Sequence, residues 1–127
     1  MKDLYHNLLA EHSLFPVSLS DAVNGDAIID LAGYEGALVV CYTGSITGDV
    51  TFELKHGDES NLSDGAAVSD SDLIGSEPTF ANLTEDNAVK TFGYVGNKRY
   101  LRVDATAGVG IAGALVIKGY PRHAPVV

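Results

Sequence analysis

The chain has 127 residues, with 17 acidic against 8 basic side chains and a formal charge of −9. That length is one domain, enough to bury roughly two thirds of the surface its unfolded form exposes without a metal or disulfide staple. The charge argues against direct nucleic-acid binding, which needs clustered Lys and Arg to displace phosphate counterions. No apolar run approaches the roughly 18 to 20 residues of a membrane-spanning helix, and residues 1–12 carry polar groups where a signal peptide has its apolar core. Synthesis in a cytoplasm, with no membrane partner, is the expectation.

The 14 Gly, the lack of Trp and the short runs of Val, Ile, Thr and Tyr favour an all-β fold. In residues 2–12, Leu4, Tyr5, Leu8 and Leu9 recur at helical spacing, so a short helix or arm is expected there. Residues 14–19 and 27–31 read as a first pair of strands joined by Asn24-Gly25, and Pro16 marks the first as an edge strand. Residues 37–43 are apolar at nearly every position, which predicts a strand covered on both faces. Glycines 44 and 48 predict a tight hairpin into a cleanly alternating strand over 50–55. In that strand Val50, Phe52 and Leu54 point inward.

Residues 56–88 form a long acidic loop with apolar anchors at Leu62, Val68, Leu73, Ile74, Phe80 and Leu83. Strands over 89–95, 99–106 and 111–120 follow. In the second of these, Leu101, Val103 and Ala105 form a dry face and Arg102, Asp104 and Thr106 a wet one. About seven strands at this spacing predict a single-domain β-sandwich, jelly-roll-like, over 14–122. A peripheral arm, 1–13, and a tail, 123–127, flank it.

No constellation for chemistry stands out. The loop carboxylates Asp58, Glu59, Asp64, Asp70, Asp72 and Glu77 lack the ligand spacing of a calcium loop. His6, His12, His56 and His123 are dispersed, and Cys41 lies inside an apolar run with no base nearby. No phosphate-binding glycine loop is present, and the glycosylation pattern at Asn82-Leu83-Thr84 is meaningless without a secretory route. The reading is therefore non-enzymatic, with no metal and no cofactor. Lys98, Arg99, Arg102, Lys118 and Arg122 concentrate basic charge in the last strands, opposite in sign to 57–77, which suits contacts between copies.

The order of these segments carries a family resemblance. An apolar strand leads into Thr43-Gly44-Ser45-Ile46-Thr47-Gly48 and then Val50-Thr51-Phe52-Glu53-Leu54. After the polar loop come Asp72-Leu73-Ile74-Gly75, Gly93-Tyr94-Val95-Gly96-Asn97-Lys98-Arg99-Tyr100-Leu101-Arg102-Val103 and Gly119-Tyr120-Pro121-Arg122-His123-Ala124-Pro125. This pattern resembles the capsid decoration, or cement, proteins of tailed bacteriophages, small β-sandwich proteins encoded with the head genes. The resemblance implies a virion protein on the capsid exterior that binds the major capsid protein and itself, as a trimer rather than a dimer. The expected contacts are Leu4, Tyr5, Leu8, Leu9 and Phe15 as apolar anchors and Arg99, Arg102 and Arg122 as polar ones. The alternative is a carbohydrate-binding or host-adhesion module of a virion, for which the six Tyr are sufficient aromatics.

Overall fold

The computed structural model describes residues 4–82 and 84–121, the last two by their backbone alone. Of the described residues 61% are strand and 3% helix, an all-β sandwich. Its elements are β1 (Leu9–Leu19), β2 (Ile29–Asp30), β3 (Tyr34–Gly57), β4 (Ala66–Ala67), a 3₁₀ turn (Asp70–Asp72), β5 (Leu73–Ile74), β6 (Thr79–Phe80), β7 (Val89–Tyr94) and β8 (Tyr100–Pro121). All pairings are antiparallel. The strand order is β1-β8-β3-β7-β5, with β2 against β8 and both β4 and β6 against β3.

Two long strands make the frame. β3 has 24 residues and β8 has 22, and they stay paired from Tyr34↔Pro121 to Gly57↔Tyr100. The glycines at 44 and 48 therefore do not reverse the chain, and the expected central hairpin is absent. Instead, successive register shifts between Thr43 and Phe52 bend the ribbon. Each β-bulge adds a residue on one strand and moves the inward-facing set by one position. The burial pattern records the change of phase. Val39, Cys41 and Thr43 are buried before the bend and Val50, Phe52 and Leu54 after it. On β8 the buried set passes from Leu101, Val103 and Ala105 to Ala112, Ala114 and Val116. Without that change one half of the ribbon would show its apolar side to water. At the bend Gly110 takes φ +127, and a Cβ there would lie 2.4 Å from the Ile46 Cα, so only glycine fits.

Both halves of the ribbon feed one core, in which the Phe52 and Phe80 rings meet edge to face at 5.7 Å. The four inward positions expected at Phe52, Leu54, Leu101 and Val103 are all within it. The 56–88 region is not an open loop. It lays β4, β5 and β6 along the sheet and buries Leu62, Val68, Leu73 and Phe80.

The N-terminal segment also differs from its helical spacing. A single turn, closed by the Leu8 amide donating to the Leu4 carbonyl at 3.0 Å, precedes β1. From Leu9 the chain is extended and pairs with β8, beginning at Leu9↔Lys118. Residues 9–13 thus belong to the sandwich rather than to a peripheral arm. Pairing with a ready-made β8 edge outweighs a helix too short to hold itself. β1 does lie at the edge of the sheet, as Pro16 implies. It does not pair with residues 27–31 as a hairpin, because β2 joins β8 instead.

Candidate functional site: an uncharged sheet face

Among the described residues, one face of the sandwich is left open. Before the bend, the outward positions of five strands fall in rows. Ala10, Ile117, Leu38, Gly93 and Ile74 are successive cross-strand neighbours from β1 to β5. The next row is His12, Leu115, Val40 and Thr91, and the third is Gly113, Tyr42 and Val89. None of these positions holds Asp, Glu, Lys or Arg. Leu38 is 39% exposed, Ile74 65% and Val89 65%. Residues 37–43 are therefore covered on one side only, which corrects the expectation of a strand buried on both faces.

A groove of about 410 Å³ crosses this face, lined by Leu8, Leu38, Ile74, Val95, Ile117 and Glu35 among others. Beside it large side chains lie across glycines. The Tyr42 ring covers Gly113, where an added Cβ would come within 2.7 Å of the phenol oxygen. His12 Nε2 and the Tyr42 hydroxyl lie 2.9 Å apart in a hydrogen bond, and Phe15 packs its ring edge-on to His12. Burial pushes the Tyr42 phenol above its ordinary range, so it stays neutral.

Charged side chains are used elsewhere, chiefly within the molecule. Asp104, expected on the wet face, is buried. It accepts the Gly25 amide at 2.8 Å and both arms of the Arg102 guanidinium at 2.7 and 3.1 Å. Gly25 sits so close to β8 that a Cβ would lie 2.3 Å from the Val103 carbonyl. Arg99 clasps Asp30 with two bonds, at 2.8 and 2.9 Å, and its charge holds the Asp30 carboxyl below its usual range. Lys118 is buried between Glu11, the Asp30 carbonyl and the Tyr34 ring.

The loop carboxylates bind backbone. Asp64 accepts the amides of Asp58 and Glu59, and Glu85 that of Ala81. Glu77 accepts the Leu54 amide in the gap that the β3 edge leaves between β6 and β4. Burial raises the Glu77 carboxyl above its ordinary value, with Glu53 and Asp70 adding to the effect. The Tyr94 hydroxyl, reached by the Lys98 amide at 3.1 Å, sits 2.8 Å from His56 Nδ1 and ties the two halves of the ribbon. Burial drives the Cys41 thiol far above its ordinary range, so it is held as an inert neutral group.

Of the contact residues expected from the sequence, Leu8 and Phe15 come to the open face or its margin. Leu4 and Tyr5 are exposed in the turn ahead of β1, and Leu9 is half-buried in β1. Arg99 and Arg102 are committed to internal ion pairs, and Arg122 lies outside the described residues. Leu38, Tyr42, Ile74, Leu115 and Ile117 were missed. The signal for them was an unbroken apolar strand in a chain with no helix long enough to cover a second face.

A second cavity, of about 460 Å³, opens between residues 31–37 and 94–99, lined by Tyr34, Glu35, Asn97, Lys98 and Arg99 among others.

No family model matches the chain, and no curated protein matches it in sequence. In structure it is similar to the SPBc2 prophage-derived protein YomS. The TM-score is 0.57 at 12% identity, over 88% of this chain and 92% of that one. At that identity the likeness is one of fold. The Tobacco streak virus coat protein aligns over 97% of this chain and 93% of its own at 12% identity, but a TM-score of 0.25 carries no argument.

Proposed function

We propose that the chain is a non-enzymatic structural protein of a phage virion, a head decoration protein that binds the outer capsid surface as a homo-oligomer and stabilises the lattice. The observation that carries this reading is the open, uncharged face across five strands. An apolar patch of that extent on a small acidic protein is the mark of an assembly surface. Asp64, Glu77 and Glu85 cap backbone amides, and Asp30 and Asp104 sit in ion pairs within the molecule, rather than converging on a reacting centre. The sequence order resembling decoration proteins and the fold shared with a prophage-derived protein point the same way.

Decoration works by number: many modest contacts across subunit boundaries, engaged together, resist internal pressure better than any one of them. Leu4, Tyr5 and Phe15 are exposed and uncharged, and are the anchors offered to the major capsid protein. The expected result is that purified protein co-sediments with undecorated heads of the phage that encodes it, and that a triple Leu4→Asp, Tyr5→Asp, Phe15→Asp variant does so at least about tenfold more weakly. Absence of co-sedimentation by the wild-type protein contradicts the reading.

The cavity between 31–37 and 94–99 favours a second reading, a glycan-binding or host-adhesion module, because it combines the Tyr34 ring with Asn97, Glu35 and Arg99. A glycan array separates the two, since decoration requires no glycan signal.

A further inference from the structure

We propose that the open face is the contact between two copies of this chain, packed face to face about a two-fold axis. This rests on the assembly reading above and names the partner of that same face.

Charge selects the occupant. Each copy carries −9, yet the rows around Leu38 and Ile117 hold no formal charge. A partner that brought charged side chains to this face would bury them unpaired, at a heavy desolvation cost. A second copy brings the same uncharged rows, with Glu35 the one carboxylate in the groove lining beside them. It also keeps the two acidic surfaces away from each other, whereas side-by-side contacts through the loops would press like charges together. The polar groups within the face are already paired in part, since His12 and Tyr42 bond each other. Covering them keeps that bond, and His12 Nδ1 then takes its partner from the facing copy or from a trapped water.

A two-fold contact needs one self-complementary patch, and here Leu38 and Ile117 border the groove while Ile74 lies over Gly93. Sheets stack about 10 Å apart when they pack face to face. With strands about 4.8 Å apart and about 3.4 Å per residue, the twelve outward positions of the three rows cover roughly 400 Å². Two such faces bury about 800 Å², the size of a weak, reversible contact whose population grows with concentration. The pair gives even-numbered assemblies, in place of the trimer that the sequence resemblance implies.

The test is sedimentation velocity on the full chain over a wide concentration range. The comparison is with Leu38→Glu and Ile117→Glu on the face and Ser60→Glu on the exposed loop. The wild-type chain and Ser60→Glu should form a dimer, or a multiple of it, as concentration rises, and each face variant should associate at least about tenfold more weakly. Hydroxyl-radical footprinting of the wild-type chain reads the same face without a substitution, should the face variants fail to fold. Oxidation of Leu38, Tyr42 and Ile117 should fall on association. A wild-type monomer at every concentration, an odd-numbered assembly, or unchanged footprints on these residues overturns the proposal. A dimer that ignores heads leaves this inference standing and removes the virion reading. A monomer that binds heads does the reverse.

Discussion

Asp104 shows how a buried charge is held in this fold, with Arg102 gripping both oxygens, the Gly25 amide donating to one and Lys55 Nζ 3.6 Å from the other. Removing the carboxylate strands a half-buried guanidinium and an amide together, so Asp104→Ala should cost about 3 to 5 kcal/mol, read from urea unfolding midpoints. Glu77 behaves oppositely. Its carboxyl sits above its ordinary 4.5 because burial disfavours the ionised form. The folded state therefore holds that proton more tightly than the unfolded state, and ionising Glu77 weakens the fold as pH rises past 4.5 through the folded value. Glutamine can still accept the Leu54 amide and never ionises. The stability of Glu77→Gln relative to wild type should rise between about pH 4 and pH 7, and a flat difference would contradict this assignment. Asp30 and Glu85, held low by Arg99 and Lys90, give stability above their ordinary values that is lost as pH falls.

At the scale of elements, the division that matters lies at Leu9. Residues 4–8 make one turn, while Leu9 to His12 ladder with Lys118 to Leu115, and Ser13 Oγ takes the Val103 amide and donates to the Ala27 carbonyl. Deleting residues 1–8 should leave the thermal midpoint nearly unchanged. Deleting 1–13 should destabilise by about 3 kcal/mol or more, because the Val103 amide loses its partner in the interior. Differential scanning calorimetry on the two truncations checks both. The strands themselves were legible in the sequence: Phe52, Leu54, Leu101 and Val103 alternate as inward positions, and all are buried. The bend was not. Glycines at 44 and 48 suit a reversal and a bulged bend equally, and the choice is made by β8, which carries its own glycines at 108 and 110 at the matching level. Helical spacing at Leu4, Tyr5, Leu8 and Leu9 misled for the same reason. A distant edge decided the local structure.

For the whole molecule, the proposed pairing makes the acidic surface and the uncharged rows parts of one arrangement: charge would keep copies apart everywhere except where the face lets them meet. Half of that was readable. The residues that build the face lie in apolar runs visible in the sequence, but such a run normally means burial on both sides. Only the topology, which supplies a second layer to one side of β3 and none to the other, turns the same residues outward. Leu4, Tyr5 and Phe15 are exposed, as an anchor role for them requires, whereas Arg99 and Arg102 could not be seen as internal clasps without knowing that Asp30 and Asp104 fold beside them. The most direct test is cryo-electron microscopy of the native particle. The account expects density for this sandwich on the outer capsid surface, with the Leu38 and Ile117 face covered by another subunit. A particle lacking the chain, or carrying it with that face open to solvent, would contradict it.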